Sequence, residues 1–548
     1  MGLDDDWSYI KTAQVLSQTG HLVYNGWATA MLGWQLYFAD LFIKLFGFSF
    51  TAARSTTWII ATVTAYLVQR CFVRCGLRQR NATMGTLAVV LSPLYLALTF
   101  SFMTDIAGFF SIVVCFYACL RAVQACTNRS ALAWIACAAM SSTIFGSSRQ
   151  IAWLGVLVMV PSAVWLLRHR PGMIRFGLVL YFSCIAVIFA CMHWFGQQPY
   201  AVPEPILAGH INRWLLGRAA ENILRAILDA ALFLLPISVI FVPVFPYKNQ
   251  RAIWFAAGGG ILSTLLALTL MHNNTLLSWL PPYTETTVTR FGIVSTAGSI
   301  FHGDRLVVLP PTICLLLAAA IVITTLSLIA LQITPVPRAM PTPVSFRQMS
   351  WQQLGVLVAP FFLAYMTLLL PRACFGEILD RYQLPLLFFA VLVLLRFYQE
   401  QVRPDVTYAS LLLIALFAGW SIASLHDLFA TRRASLMAIA EIQSAGVPRT
   451  AIDGGWEFNG WTQIDHTGFV TDPRIRNLGG SSPQPKPSHP AGCPPVMGFL
   501  YPAVSPRYAL ALDPTVCGGK APFAPVTYKN WLRPRSSTIY VIWTETPR

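Results

Sequence analysis

Apolar runs, most of them 18 or more residues long, follow one another through most of this sequence. A helix rises about 1.5 Å per residue, so about 20 such residues cross a hydrocarbon layer of about 30 Å. Of the 548 residues, 56% are hydrophobic and 11% are charged, whereas soluble domains carry about 25% charged residues. The sequence therefore predicts a polytopic α-helical membrane protein and excludes an ordinary soluble enzyme.

Twelve of these runs are predicted to be transmembrane helices. They lie near 55–73, 82–103, 106–126, 131–147, 150–167, 173–194, 226–245, 252–271, 306–333, 352–371, 382–398 and 406–425. The stretch 27–47 is also apolar, but it carries Asp40 and Lys44 together with Trp27 and Trp34. This composition predicts a helix that lies at the membrane interface.

Basic residues in the short loops predict the orientation. One set of loops holds Arg70, Arg74, Arg78, Arg80, Arg121, Arg129, Arg168, Arg170, Arg175, Lys248, Arg251, Arg338, Arg347, Arg396 and Arg403. The alternate set holds only Arg149, Arg213, Arg218, Arg225, Arg290, Arg305, Arg372 and Arg381. The first set is predicted to be cytoplasmic, because cytoplasmic loops are enriched in Lys and Arg. The net charge of +16 then needs no nucleic-acid partner, and the N-terminus and the last 120 or so residues lie outside.

The segment from Ala82 to Leu120 carries a single formal charge, that of Asp105. One helix of this length would be far longer than a membrane is thick, so the segment is predicted to be a hairpin that turns near 104–105. Asp105 would lie at the outer turn. A carboxylate at membrane depth is costly and is a functional candidate, although a solvated turn residue is the alternative.

The composition changes after residue 426. The sequence divides into a membrane domain (1–426), with an acidic first outer loop (1–50), and a small C-terminal α/β extracytoplasmic domain (427–548). In the latter we predict a helix near 433–445, strands near 449–453, 497–501 and 538–544, and a flexible Pro-rich loop at 483–495. Cys493 and Cys517 are its two cysteines, and an oxidising compartment predicts a disulfide between them. No His/Cys cluster has zinc-ligand spacing. No internal repeat is visible in the sequence, which weighs against a transporter built from duplicated halves.

Acidic and basic side chains are predicted to meet at the outer face. The carboxylates are Asp4, Asp5, Asp6 and Asp105, and the cations are Arg54, Arg149 and Arg381. A carboxylate can accept a proton from an acceptor hydroxyl or amine, and an arginine can hold a phosphate through two hydrogen bonds. The alternatives are that Arg54 and Arg149 reach lipid headgroups, that Arg381 pairs with Glu377 or Asp380, and that Asp4 is a solvated flank.

Three short segments follow one another in a recognisable order. The first is "DDDWSYIKTAQVLSQTGHL", in which Asp5-Asp6 is followed by Tyr9, Ala13 and Gly20. An interfacial aromatic helix and "GFSFTAAR" come next, and "MTDIAGFF" and "DRYQLPLL" stand further along the chain. The order resembles that of the GT-C membrane glycosyltransferases, in the branch with protein O-mannosyltransferases and lipid A aminoarabinose transferases (glycosyltransferase family 39-like). The resemblance covers roughly residues 3–425.

This resemblance implies an inverting glycosyltransferase. It would move a sugar from a polyprenyl-phosphate donor to a lipid, glycan or protein acceptor at the outer face of a bacterial inner membrane. Its partners would be that donor, the acceptor and membrane lipids, with no nucleic acid. For such a reaction we predict Asp5 as the base. Asp6 and Asp105 would orient the acceptor or hold a divalent ion (Mg or Mn). Arg54, Arg149 and Arg381 would bind the donor phosphate, and Tyr9 and Tyr382 would position the acceptor and the loop.

Two departures from the family pattern stand out. Family members have a transmembrane helix before the acidic pair, so the resemblance predicts a first helix upstream of Met1. Asp6 stands where many members have Glu. A transporter or flippase of a lipid-linked or anionic solute is the alternative function, and a non-catalytic scaffold that recruits partners through "GGWEFNGW" is a third.

Overall fold

The computed structural model describes residues 2–202, 212–293, 301–333, 349–403, 405–470, 493–498, 500–533 and 536–545. The α-helices in these ranges are α1 (Asp6–Thr19), α2 (Gly33–Phe46), α3 (Phe50–Arg74), α4 (Gln79–Val90), α5 (Pro93–Thr99), α6 (Thr104–Val123), α7 (Asn128–Phe145), α8 (Val160–Leu166), α9 (Met173–Gln197), α10 (Arg213–Ser238), α11 (Gln250–His272), α12 (Pro311–Ile333), α13 (Trp351–Phe375), α14 (Leu384–Gln401), α15 (Tyr408–Ser444) and α16 (Trp456–Thr467). The strands are β1 (Val288–Thr289), β2 (Gly292–Ile293), β3 (Ile452–Asp453), β4 (Tyr508–Ala511), β5 (Val526–Tyr528) and β6 (Ser537–Trp543).

Nine helical segments in the described ranges are long and apolar enough to cross a membrane. They contain α6, α7 and α9 to α15. The number becomes 10 if α4 and α5, which are bent by 63° at the break between them, form one span. The chain is therefore a multi-pass α-helical membrane protein, as its sequence predicts.

All of the predicted spans coincide with helical segments. The two that fall outside these nine or 10 are α3, at 55–73, and the segment at 150–167. Helix α3 contains Thr56, Thr57 and Thr64, which lower its hydropathy and are buried against the protein. The segment at 150–167 begins as a 3₁₀-helix, passes through a π-helical turn and ends as α8.

The charge-poor segment 82–120 is not a single helix: it is divided among α4, α5 and α6, with a break just before residue 104. Helix α4 ends at Val90, and Pro93 then starts the short helix α5, whose first turn is capped by the side chain of Ser92. Helix α6 begins at Thr104. Asp105 thus lies in the first turn of a helix, where the helix dipole favours a negative charge.

The interfacial stretch contains one helix, α2, which is shorter than the predicted 27–47. Trp27 precedes it in a segment without regular secondary structure. Tyr37, Leu41 and Leu45 on α2 are exposed, while Leu36 and Ile43 are buried. One side of α2 thus packs on the protein, and the other presents apolar side chains outward.

Helix α15 has 37 residues and is the longest of the described helices. At about 1.5 Å per residue it is far longer than a membrane is thick. Ala438, Ile439 and Ile442 near its end join one core with Ile452 of β3 and Ile539 of β6. The domain boundary predicted at 426/427 therefore falls inside a continuous helix, and the helix predicted at 433–445 is its last part.

The C-terminal domain contains a four-stranded sheet in the order β3-β4-β6-β5. Strand β3 is parallel to β4, and the other two pairs are antiparallel. The predicted strands at 449–453 and 538–544 correspond to β3 and β6. The strand predicted at 497–501 is wrong in its described residues, which form turns, and most of the loop predicted at 483–495 lies outside the described residues. Cys493 and Cys517 are joined by a disulfide, with 5.4 Å between their Cα atoms.

Candidate active site

Asp6 joins three separate elements at one end of the membrane helices. Its carboxylate pairs with Arg54 in the first turns of α3, with the Arg54 Nε 2.8 Å from Oδ2. It also accepts hydrogen bonds from the backbone N–H of Leu3 (2.6 Å) and of Phe102 (3.0 Å). The Asp6 side chain is fully buried and Arg54 is 7% exposed. This pair holds the start of the chain against the loop before α6.

Arg381 lies just before α14 and contacts three carboxylates. Its NH1 binds Asp4, its NH2 lies 3.4 Å from Oδ2 of Asp5, and its Nε lies 3.9 Å from Oδ2 of Asp105. The guanidinium therefore bridges the start of the chain and the first turn of α6. The acidic first loop and the late "DRYQLPLL" segment, which are far apart in sequence, share one site.

Arg149 completes the cluster from the junction between α7 and the broken helix that follows it. It forms an ion pair with Oδ1 of Asp105, and its guanidinium carbon lies 4.8 Å from the centre of the Tyr382 ring. The Arg149 side chain runs over Gly108, where an added Cβ would lie 3.0 Å from Cδ of the arginine. The small residue in α6 makes room for this arginine.

Asp5 and Arg149 are the most accessible members of the cluster. The side chains of both are 18% exposed, compared with 12% for Arg381 and 3% for Asp105. Oδ1 of Asp5 accepts a hydrogen bond of 2.9 Å from the indole Nε1 of Trp27. Burial and the neighbouring charge of Asp4 raise the pKa of the Asp5 carboxyl to about 7. An accessible base and an accessible cation thus lie in one site, and this base titrates near neutral pH.

The two predicted tyrosines border the cluster. Tyr9 on α1 is nearly buried, and burial together with the charge of Asp5 raises its pKa well above the usual range. The hydroxyl of Tyr382 accepts a hydrogen bond of 2.9 Å from Arg372, and its carbonyl accepts one of 2.7 Å from the hydroxyl of Tyr365. Tyr382 thereby holds its ring beneath Arg149.

The structure corrects the prediction for Asp4 and shows which carboxylates the arginines contact. Asp4 is not a solvated flank: its φ of 54° turns the chain so that its side chain, 13% exposed, meets Arg381. Arg54 forms an ion pair with Asp6, and Arg149 forms one with Asp105. Asp380 does not pair with the Arg381 side chain, because it accepts hydrogen bonds from the segment 286–288.

The C-terminal domain packs directly on the acidic segment. Trp7 lies against Gly460 of α16, where an added Cβ would clash with the indole ring at 2.6 Å. Lys11 forms a 2.7 Å salt bridge with Asp465. The ring of Trp27, which binds Asp5, meets that of Trp456 edge-on with 5.5 Å between centres. Helix α16 therefore supports the residue that donates to Asp5.

The aspartates are a poor fit for the divalent ion expected at Asp6 and Asp105. Both oxygens of Asp6 are occupied by Arg54 and backbone N–H groups, and both oxygens of Asp105 face arginines. Within the described ranges, one group of three or more His, Cys, Asp and Glu side chains has all its ligand atoms within 4.8 Å: His302, Cys493 and Cys517. That group contains none of the aspartates.

Sequence reasoning missed several residues of the site. Trp27 was assigned to an interfacial helix, and nothing in its spacing indicates a bond to Asp5. Tyr365 and Arg372 lie in a predicted span and its following loop, and their contacts with Tyr382 depend on helix packing. Asp4 did carry a signal, because it begins a run of three acids.

Fold and site together define a class: a multi-pass membrane protein with an arginine–aspartate cluster capped by a small α/β domain. No protein-family model matches the chain, and no curated protein sequence does. Among solved structures, the chain is similar to ArnT from Cupriavidus metallidurans in the apo state, with 12% identity over 98% of this chain and 93% of that one, at a TM-score of 0.33. It is likewise similar to ArnT from Cupriavidus metallidurans bound to undecaprenyl phosphate, with 10% identity over 98% and 94% of the two chains and the same TM-score.

Proposed function

We propose that this protein is a membrane glycosyltransferase of the GT-C type, which moves a sugar from a polyprenyl-phosphate donor to a lipid, glycan or protein acceptor. The observation that carries the proposal is the convergence of Asp5 with Arg149 and Arg381 at one end of the membrane helices. The motif order of the sequence supports the donor class. The site lies at the outer face of a bacterial inner membrane in this proposal, as the basic loops predict.

Asp5 is the base in this proposal. The acceptor hydroxyl or amine attacks the anomeric carbon of the sugar, and its proton passes to the Asp5 carboxylate. The bond between that carbon and the phosphate oxygen breaks, and its electron pair leaves with the lipid phosphate. A pKa of about 7 suits this task, because a general base works best when its pKa lies near the operating pH. Attack from the side opposite the phosphate inverts the anomeric carbon.

Arg149 and Arg381 hold the donor phosphate in this proposal. Each has a carboxylate partner in the protein alone, and Asp105 faces both. A phosphate would replace part of this pairing and form charge-assisted hydrogen bonds to the two guanidiniums. Asp105 then keeps the two arginines at the spacing that the phosphate requires, and Tyr382 supports Arg149 from below.

Asp6 and Arg54 receive a positioning role in this proposal, rather than the catalytic and phosphate-binding roles predicted from the sequence. They bind each other and are almost completely buried, so neither is placed to touch a substrate. Since Asp6 also accepts from Leu3 and Phe102, the pair fixes Asp5 relative to Asp105. The reaction as proposed has no step through a divalent ion.

Incubation of the purified full-length protein with radiolabelled polyprenyl-phosphate sugars tests this function. A glycosyltransferase releases the lipid phosphate and labels an acceptor. A transporter or flippase would move the intact labelled lipid between the leaflets of a vesicle and release no phosphate. Lipid movement without bond cleavage in the wild type and in Asp5→Asn would overturn the proposal.

A further inference from the structure

Three exposed apolar side chains meet where the C-terminal domain joins the membrane domain. In the described part of the chain after Ser444, Trp531 is the one large apolar side chain that is exposed, at 63%. Leu306 and Val307, in the loop before α12, are 53% and 52% exposed. Arg533 donates a hydrogen bond to the carbonyl of Leu306 and so joins the two segments. We call Trp531, Leu306 and Val307 the apolar edge. Exposed apolar side chains that lie together indicate a contact surface.

The apolar edge is attached to α15 at the point where this helix has crossed the membrane. The N–H groups of Trp531 and Leu532 donate to the two carboxylate oxygens of Asp427 (2.6 and 3.0 Å). The indole of Trp531 stacks on the imidazole of His426, with 4.0 Å between the ring centres. His426 lies 18 residues after Tyr408, the first residue of α15, which is about 27 Å along the helix. A hydrocarbon layer of about 30 Å therefore ends near this level.

Helix α12 places the edge at the same level. It has 23 residues and is about 34 Å long, so its ends lie near the two surfaces of the membrane. Leu317 and Ile321 in its first half belong to one apolar cluster with Phe417 of α15, so the start of α12 lies close to the level of His426. The loop before α12 carries the other two residues of the edge. The apolar edge therefore lies at the interfacial level at which tryptophan is enriched in membrane proteins.

Basic side chains flank the apolar edge. The segments 304–309 and 527–533 contain three basic residues and one acidic residue, which are Arg305, Lys529, Arg533 and Asp304. Lys529 precedes Trp531 by two residues and is exposed, and Arg533 follows it by two and is half-buried. Apolar side chains that enter the headgroup layer, together with adjacent Lys and Arg, form the combination that binds anionic lipid surfaces.

We propose that the apolar edge docks the C-terminal domain on the membrane surface. Trp531, Leu306 and Val307 lie in the headgroup layer, and Lys529 and Arg533 bind the phosphates of anionic phospholipids. The lipid surface is then an attachment of the domain in addition to α15. This docking requires neither a particular orientation of the protein in the membrane nor the transfer reaction.

Depth-dependent fluorescence quenching tests the docking in nanodiscs of phosphatidylcholine and phosphatidylglycerol. Trp531→Cys, in full-length protein without the ten free cysteines, is labelled with bimane, a fluorophore of about the size of an indole. We expect strong quenching by phospholipids that are spin-labelled at the headgroup or the upper acyl chain, and weak quenching by iodide in the water. The control is Gln443→Cys, labelled in the same way. Gln443 is exposed and lies about 26 Å beyond His426 along α15, so iodide should quench its label and the lipids should not.

Two quenching results would overturn the proposal. Equal quenching by iodide at positions 531 and 443 would place the edge in water. A label at position 531 that neither iodide nor the spin-labelled lipids reach would show that protein covers the edge, for example a second copy of this chain.

Lysine labelling of the wild-type protein tests the anionic headgroups without any substitution. Lys529 and Lys520 are both exposed, but Lys520 pairs with Ile542 at the opposite end of β6 from Ser537, which binds Asn530. A change from phosphatidylcholine to phosphatidylglycerol should slow the reaction of Lys529 with an amine-reactive ester by about 5-fold, the effect of one cation at an anionic surface. Lys520 should react at an unchanged rate, and mass spectrometry measures both. An unchanged rate at Lys529 would also overturn the proposal.

Discussion

The indole Nε1 of Trp27 donates a hydrogen bond of 2.9 Å to Oδ1 of Asp5, while NH2 of Arg381 lies 3.4 Å from Oδ2. Both donors stabilise the ionised carboxylate, yet burial and the charge of Asp4 raise its pKa to about 7. Asp5 is thus held between opposing influences. Small changes to its neighbours should alter its protonation at neutral pH, and this makes the proposed base testable.

Asp5→Asn should remove most of the transfer activity, by about 10²–10⁴-fold, because the amide keeps the shape and cannot accept the proton. Binding of the labelled donor should stay close to that of the wild type. Kinetics with labelled donor and a separate donor-binding measurement check both parts. Asp405→Asn, at an exposed acid beside Arg78, is the matched control and should stay active. Asp5→Asn with near wild-type activity would place the base elsewhere.

The pH profile should follow the protonation of Asp5. Below pH about 7 the carboxyl is protonated and cannot act as a base, so the rate should rise with pH through about 7. Trp27→Phe removes a donor to the carboxylate and should move the midpoint to higher pH. Asp4→Asn removes a neighbouring negative charge and should move it to lower pH. Shifts of the same sign in both variants would argue against Asp5 as the titrating group.

Gly108→Ala should weaken donor binding without changing any charge. The new Cβ would lie 3.0 Å from Cδ and 3.2 Å from Cβ of Arg149, so the guanidinium must shift. Arg149→Lys keeps the positive charge but loses the bidentate geometry, and should raise KM for the donor in the same way. Gly355→Ala, at a glycine with open space around it, is the control. Equal KM values for Gly108→Ala and the wild type would separate Arg149 from the donor.

Chelation should not abolish transfer. The oxygens of Asp6 and Asp105 already face arginines or backbone donors, so they offer no free ligand set for Mg or Mn. The rate is measured after dialysis against EDTA and again after each ion is added back. A loss of activity that Mg or Mn restores would show that the carboxylates rearrange around an ion.

Single cysteines should report opposite membrane faces. Gln79→Cys and Asn274→Cys introduce exposed thiols on the proposed cytoplasmic and outer sides. An impermeant thiol reagent, applied to cells producing a variant without the ten free cysteines, should label only Asn274→Cys. Labelling of Gln79→Cys alone would invert the orientation and place the aspartate cluster on the cytoplasmic side.

The length of the apolar runs predicted the membrane helices well, because hydropathy is a local property of each run. Asp105 and Arg381 could be grouped at one membrane face from the predicted orientation of the loops. The residues that each of them contacts could not be predicted. Whether Arg54 faces lipid or Asp6 depends on how α3 packs against α1, and this is decided by side chains far away in the sequence.

The same dependence on long-range packing explains why the position of His302 beside the Cys493–Cys517 disulfide could not be predicted. Cys493 and Cys517 could be paired because they are the two cysteines of the C-terminal domain. His302 lies between two predicted spans, about 190 residues before Cys493, and no spacing rule connects it to them. It arrives there because its backbone pairs with Leu510 and Leu512. The strand at β4 that makes this possible was itself not predicted.

Helix α15 leaves the membrane domain and enters the C-terminal domain without a break. The rotation and the distance of one domain relative to the other therefore depend on the geometry of this helix. One residue inserted into this helix would turn everything beyond it by about 100° and advance it by about 1.5 Å. The face of α16 that meets Trp7 and Lys11 would then point away from α1. The rotation per residue of a single helix therefore sets the angle at which the outer domain meets the acidic segment. The number of residues in α15 is constrained by that angle as well as by the thickness of the membrane.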